Sequence, residues 1–269
     1  MRVLITNDDG IAAPGLRALA HSARDHGHDV VVAAPHREAS GSGTALTAVT
    51  DAGRLLLEAV ELDGLPGVPA YSVAASPAYI AVLAAIGAFG PAPDALLSGI
   101  NRGANAGHAI LHSGTVGAAL AAANEGLRAL AVSLDIFTAL SATGADSDAA
   151  LSASGDPADD ALHWDSASTL AARLLPWLSQ APPGTVLNLN VPDRPLPRIP
   201  GVRRATPAPF GQVQMTLAEA GHDFARITVA VREDEHPPGT DLALLAEGYA
   251  TLTAIRPLTE DPSVTPPTD

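Results

Sequence analysis

The 269-residue chain contains no cysteine and no lysine, and aromatic residues make up only 3% of it. Without cysteine there is no disulfide framework, no thiolate metal site and no cysteine nucleophile, a pattern that fits a reducing compartment. With few aromatic rings the core has to be filled by Ala, Val, Leu and Ile. The hydrophobic fraction, 47%, is large enough to exclude global disorder. Positive charge is scarce as well, since 15 arginines face 29 acidic residues and leave a net charge of −14. Such a surface is ill suited to duplex nucleic acid, whose phosphates have to be neutralised. An anionic ligand would need a local cradle of backbone N–H groups or a metal ion. No apolar run approaches the ~20 residues of a membrane span. The opening Met1–Thr6 turns polar at Asn7, which predicts no signal peptide. The expectation is a cytoplasmic protein with one large α/β domain.

Within the first 135 residues, short apolar runs (Val3–Ile5, Val30–Val32, Ala95–Ile100, Ala129–Leu134) alternate with Ala- and Leu-rich segments. Continuously apolar strands alternating with helices predict an α/β fold of βαβ units in a parallel sheet buried on both faces. Pro14-Gly15-Leu16 opens a helix that reaches about His26, with Gly27 as its cap. Residues 138–160 are small, acidic and aperiodic, a loop pattern. A helix follows over Asp165–Gln180, which Pro176 should kink or shorten, and then a buried strand over Val186–Val191. The core is thus expected over 1–192. Six prolines between 193 and 237, with weak alternation at Ile227–Val231, predict an arm or hairpin excursion over 193–240. A helix at Asp241–Glu247 and a strand at Tyr249–Ile255 return to the core within 241–258, and 259–269 is a tail.

Ligands of open parallel sheets bind beyond the carboxyl ends of the strands, so the polar residues that follow each strand are the candidates. Asn7-Asp8-Asp9-Gly10 follows the first. Two adjacent carboxylates repel one another unless a divalent cation lies between them; the alternative is a solvated turn in which Asp9 caps the next helix. After the second strand, Ser40-Gly41-Ser42-Gly43-Thr44 can form a backbone nest for phosphate oxygens or be an ordinary loop. The strand at 95–100 is followed by Asn101, a hard amide ligand, and by Arg102 and Asn105. Ser113-Gly114-Thr115 precedes an Ala-rich helix, offering an N-cap and, at the same place, free N–H groups for an anion. The donor set is all oxygen, which suits Mg²⁺ or Mn²⁺ and chemistry on a phosphate ester.

These residues resemble a known family. Val3–Ile11 with Ala13-Pro14-Gly15-Leu16 is similar to the opening of the SurE (survival protein E) nucleotidases. Ser98–Asn105 running into Leu111–Val116 is similar to that family's second signature. Looser matches follow at Asn188–Pro192, Thr240-Asp241 and Gly248-Tyr249. The resemblance implies a Rossmann-like, mostly parallel sheet with helices on both faces, metal-dependent hydrolysis of nucleoside 5′- and 3′-monophosphates, and a C-terminal arm used in a homodimer or homotetramer. It implies one Mg²⁺ or Mn²⁺ per subunit on Asp8, Asp9, Ser40 and Asn101, and phosphate contacts at Ser113, Gly114 and Thr115, with Ser42, Gly43 and Asn105 nearby. Asp8 and Asp9 are the catalytic candidates.

The chain departs from the family pattern in places. His36 stands where an Asp is usual, and Ala75–Ile80 loses an Asp and a Cys. The region 205–236 lacks an aromatic-rich hairpin. A covalent aspartyl-phosphate phosphatase is a rival, but it needs an aspartate where Asn7 stands. A non-catalytic nucleotide-binding protein that kept the metal cradle is another. His108 and His112 lie near the proposed site as possible acid–base groups or as mere loop hydrogen-bonders, and His21, His26 and His28 are expected to face solvent.

Overall fold

The computed structural model describes residues 1–136, 161–211, 213–221, 225–231 and 236–256, with the single residues 259 and 263. The acidic 138–160 stretch therefore lies outside the described residues, as does nearly all of the 259–269 tail.

The strands are β1 (Arg2–Thr6), β2 (Asp29–Pro35), β3 (Thr50–Asp51), β4 (Arg54–Leu55), β5 (Leu57–Val60), β6 (Ala70–Val73), β7 (Ala95–Arg102), β8 (Arg128–Asp135), β9 (Val186–Pro192), β10 (Val202–Arg204), β11 (Val213–Ala220), β12 (Ala225–Val231) and β13 (Ala250–Ile255). Nine of them form one sheet in the order β10-β13-β9-β8-β7-β1-β2-β6-β5. Its six central strands, β9 through β6 in that order, pair in parallel; β13 on β9 and β5 on β6 are antiparallel.

Burial explains why the central strands read as unbroken apolar runs. Val3 and Ile5 join a cluster with Leu16, Leu19 and Ala20 of α1 (Pro14–Asp25) and with Ala167, Ala171 and Leu175 of α4 (Trp164–Gln180). Leu4, between them, faces the opposite cluster, with Ile80 and Ala84 of α2 (Pro77–Ala85) and Val116, Ala119 and Ala122 of α3 (Gly114–Asn124). A strand buried on both faces cannot alternate polar residues. Each such fully buried Val, Leu or Ile contributes roughly 1.5–3 kcal/mol of transfer free energy.

Helix α1 ends as the sequence predicts. His28 N–H donates to the Ala23 carbonyl and Gly27 N–H to that of Arg24, with Gly27 at φ +81°, a Schellman closure. Pro176, by contrast, does not shorten α4, which continues to Gln180. Its ring lies on the exposed side of the last turns, away from the buried Leu175 and Leu178. The excursion is narrower than 193–240. Val202–Arg204 joins the main sheet beside β13, and within this stretch β11 and β12 form a two-stranded antiparallel hairpin outside it. Helix α5 (Asp241–Ala246) and β13 then return to the core.

The chain runs from β1 to β2 on one side of the sheet and later enters β7 on the other side of β1. The carboxyl ends of β1 and β7 therefore flank the point where connections diverge.

Candidate active site

The turn after β1 is held by Asn7, whose fully buried side chain accepts from Gly10 N–H (3.1 Å) and donates to the Gly10 carbonyl (3.0 Å). Asn7 thus shapes the turn that presents Asp8 and Asp9. Asp9 does not cap α1, because Ala13 occupies that position without a side-chain cap bond. The solvated-turn alternative also fails for Asp8, which is 3% exposed.

Asp8 is where the separate segments converge. The Thr115 hydroxyl donates to Asp8 Oδ1 and lies 3.3 Å from Asn101 Oδ1. Asn101 Nδ2 donates to the Gly103 carbonyl (2.7 Å), which turns its amide oxygen toward Thr115. The N–H groups of Gly114 and Thr115, at the start of α3, hydrogen-bond the Asp8 carboxylate. The helix N-terminus expected to receive an anion thus holds the Asp8 charge in this structure. Burial nonetheless dominates and pushes the Asp8 carboxyl above its ordinary value, against the lowering by those hydrogen bonds. Ser113 fulfils the expected capping role, accepting from Val116 N–H at 3.0 Å.

The loop after β2 is brought in by backbone contacts. Ala39 N–H donates to the Asp8 carbonyl at 2.7 Å. Gly43 packs its carbonyl directly against Gly117 of α3, and a Cβ on Gly117 would collide with it. A Cβ on Gly114 would lie 2.7 Å from both Asp8 Oδ2 and Ser42 Oγ. Absent side chains at these two helix positions therefore create the room in which Asp8 and Ser42 meet. The Ser42 hydroxyl oxygen is buried and has no hydrogen-bond partner among the described residues, a costly state unless something completes it. Ser40 behaves differently. It is exposed, and its hydroxyl donates to Glu38 (2.8 Å). In this structure Ser42 is the loop hydroxyl beside Asp8.

Asn105 is engaged elsewhere. Its Nδ2 donates to Ser133 Oγ (2.9 Å), its N–H to Asn190 Oδ1 (2.9 Å), and its carbonyl accepts from Asn188 and Asn190. These bonds make it an anchor of the loop that follows β7 rather than a residue open to phosphate. His36, His108 and His112 are exposed, as is His26, whereas His21 and His28 are partly buried, so the solvent-facing expectation holds only for His26. Burial lowers the affinity of His28 for a proton.

Sequence reasoning missed Asp241. It is 1% exposed, and its carboxylate accepts from Gly107 N–H (2.8 Å), Ala208 N–H (2.9 Å) and Leu242 N–H (2.9 Å). It thereby fastens the 3-10 turn Gly107–His112, which leads into Ser113, to the C-terminal segment. The Thr240-Asp241 pair read as a helix start and a loose family match with no role attached, and its other partners are backbone groups remote in sequence. Asp241→Asn should present an amide to the Gly107 donor and cost about 1–3 kcal/mol of unfolding free energy in urea titration; an unchanged midpoint and slope would show that the contact is dispensable.

Among the described residues no three His, Cys, Asp or Glu side chains gather as a metal cluster. The oxygens gathered here come instead from the Asp8 carboxylate, the Asn101 amide and the Thr115 and Ser42 hydroxyls. That all-oxygen set, with a buried unpartnered hydroxyl and a buried carboxylate destabilised in its charged form, fits a hard divalent cation.

Among the described residues no helix is long and apolar enough to cross a membrane. The family model described as Survival protein SurE matches residues 3–211. The 5′/3′-nucleotidase SurE of Shigella dysenteriae serotype 1 (strain Sd197) is 34% identical over 261 residues, covering 95% of this chain and 90% of that protein. The protein of the same name from Escherichia coli O1:K1 / APEC is 34% identical over 260 residues, with the same coverage. The crystal structure of the SurE protein from Aquifex aeolicus superposes with a TM-score of 0.68 at 25% identity, covering 95% of this chain and 93% of that one. With strands, switch-point residues and both signatures in agreement, the chain belongs to the survival protein SurE family.

Proposed function

We propose that this protein is a divalent-metal-dependent phosphomonoesterase that hydrolyses nucleoside 5′- and 3′-monophosphates to nucleoside and phosphate. The observation that carries the proposal is the meeting of Asp8, Asn101, Thr115 and the unpartnered Ser42 hydroxyl at the start of α3. The 5′/3′-nucleotidase relatives, aligned over 95% of the chain, support it.

One Mg²⁺ or Mn²⁺ would be held by Asp8, Asp9 and Asn101 together with a loop hydroxyl, Ser40 by family resemblance or Ser42 by its position here. Such an ion, when bound, polarises a phosphoryl group and makes water more acidic. Ser113, Ser42 and Gly43 would meet the phosphate oxygens, and Gly114 and Thr115, which hold the Asp8 carboxylate in this structure, would join them once Asp8 turns to a cation, favouring the charge that builds during in-line displacement. Asp8 and Asp9 are the groups able to accept the water's proton and return one to the departing alcohol oxygen. The Asn105–Asn190 and Asp241–Gly107 contacts tie the segment before Ser113 to β9 and to the start of α5. The proposal extends to a cytoplasmic homodimer or homotetramer. The lack of cysteine supports the compartment, and a hairpin whose strands pair only with each other supports the assembly. Phosphate release from a panel of 5′- and 3′-monophosphates tests the activity and ranks its substrates.

A further inference from the structure

Two surface depressions, of about 420 and about 570 Å³, share His36, Val49 and Ala74 and so form one groove. Its inner end is walled by Ala39 and Ser42, the residues that touch Asp8 through its carbonyl and across Gly114. Its outer end reaches Arg54, the first residue of β4. The wall is rigid where it counts. Val49 N–H donates to the Ala74 carbonyl (2.7 Å), and His36 N–H to the Val73 carbonyl (3.0 Å), which ties both to the end of β6. Val49 itself remains 56% exposed, an apolar side chain held open to the groove.

We infer that this groove receives the neutral nucleoside part of the substrate while the phosphate lies at Asp8 and α3. The volume is that of a small-molecule site. The lining decides the chemistry. Arg37 and Arg54 are outnumbered by Glu38, Asp51 and Glu58, so no excess positive charge is present to hold a polyphosphate tail. An uncharged heterocycle and sugar fit instead, the ring against Val49 and the His36 imidazole and the hydroxyls toward the polar rim. His36, one of the positions at which the chain departs from its family pattern, thereby acquires a role in specificity. The inference rests on the phosphomonoesterase proposal for the placement of the phosphate.

Steady-state kinetics with adenosine 5′-monophosphate and with glycerol 2-phosphate test it on the full chain. Val49→Asp and His36→Ala should each raise KM for the nucleotide about tenfold with kcat retained, and leave glycerol 2-phosphate turnover within twofold of wild type. Adenosine should inhibit wild type competitively and lose that inhibition in Val49→Asp. Leu111→Asp alters a 75% exposed side chain just before Ser113 and outside the groove, and should change neither KM. An unchanged nucleotide KM in Val49→Asp, equal damage to both esters, or selectivity in Leu111→Asp alone would overturn the inference. If wild type hydrolyses neither ester, the phosphomonoesterase proposal falls separately. The groove is then judged by calorimetric affinity for adenosine 5′-monophosphate, which Val49→Asp weakens if the inference holds and leaves unchanged if it does not.

Discussion

Asp8→Asn is expected to lower kcat/KM by on the order of 10³-fold or more, about 4 kcal/mol of transition-state stabilisation, while the metal-free protein unfolds no earlier than wild type. Both halves follow from one carboxylate. In the proposed site its charge holds a cation beside Asn101, yet burial pushes its pKa above 3.8, so the ionised form is disfavoured in the native state. Below about 3.8 the native and unfolded forms both bind the proton and the group costs nothing. As pH rises through the elevated native value, the folded state has retained a proton that the unfolded state has already released, so metal-free stability falls. Asparagine removes that penalty and that slope. Thermal melts across pH in EDTA, set beside activity, check the pair. A much less stable Asp8→Asn protein would mean that the hydrogen bonds from Gly114, Thr115 and the Thr115 hydroxyl outweigh the burial.

The second large effect is expected at Gly117. A Cβ there collides with the Gly43 backbone, which has no flexible end to swing aside, so the Ser40–Thr44 loop has to retreat from α3. Ser42 would leave Asp8, and displacement of site groups by about 1 Å costs roughly 10²-fold in rate. The helix itself should not suffer, because alanine favours it by up to about 1 kcal/mol over glycine. Gly117→Ala is therefore predicted to retain its far-ultraviolet circular dichroism while kcat/KM falls about a hundredfold. Wild-type turnover in that variant would show that the loop hydroxyl takes no part.

The sequence made the centre of the fold legible because β1, β2, β7 and β8 are buried on both faces and leave unbroken apolar runs. It did not reveal β6, whose Ala70-Tyr71-Ser72-Val73 is short and mixed, or β10, whose exposed Val202-Arg203-Arg204 is a strand only through pairing with β13 nearly fifty residues on. In the site, Asp8, Asn101 and Thr115 were visible as polar residues following strands, and the structure brings them together. The choice between Ser40 and Ser42 was not visible, since two hydroxyls two residues apart have the same chemistry. The approach of Gly43 to Gly117 puts Ser42 beside Asp8. Asn105 was read as a phosphate contact, and the bonds it makes to Asn188 and Asn190, which alternate onto one face of β9, could not be read from its own loop.

The central claim is that Asp8, Asp9 and Asn101 make this chain a metal-dependent phosphomonoesterase. The most direct measurement is inorganic phosphate released from nucleoside monophosphates in Mg²⁺, in Mn²⁺ and in EDTA, with Asp9→Asn run in parallel. The account predicts release that requires the metal, stops in EDTA and vanishes in Asp9→Asn. Nucleotide binding by the folded wild-type protein without release in either metal, or undiminished release by Asp9→Asn, would contradict it.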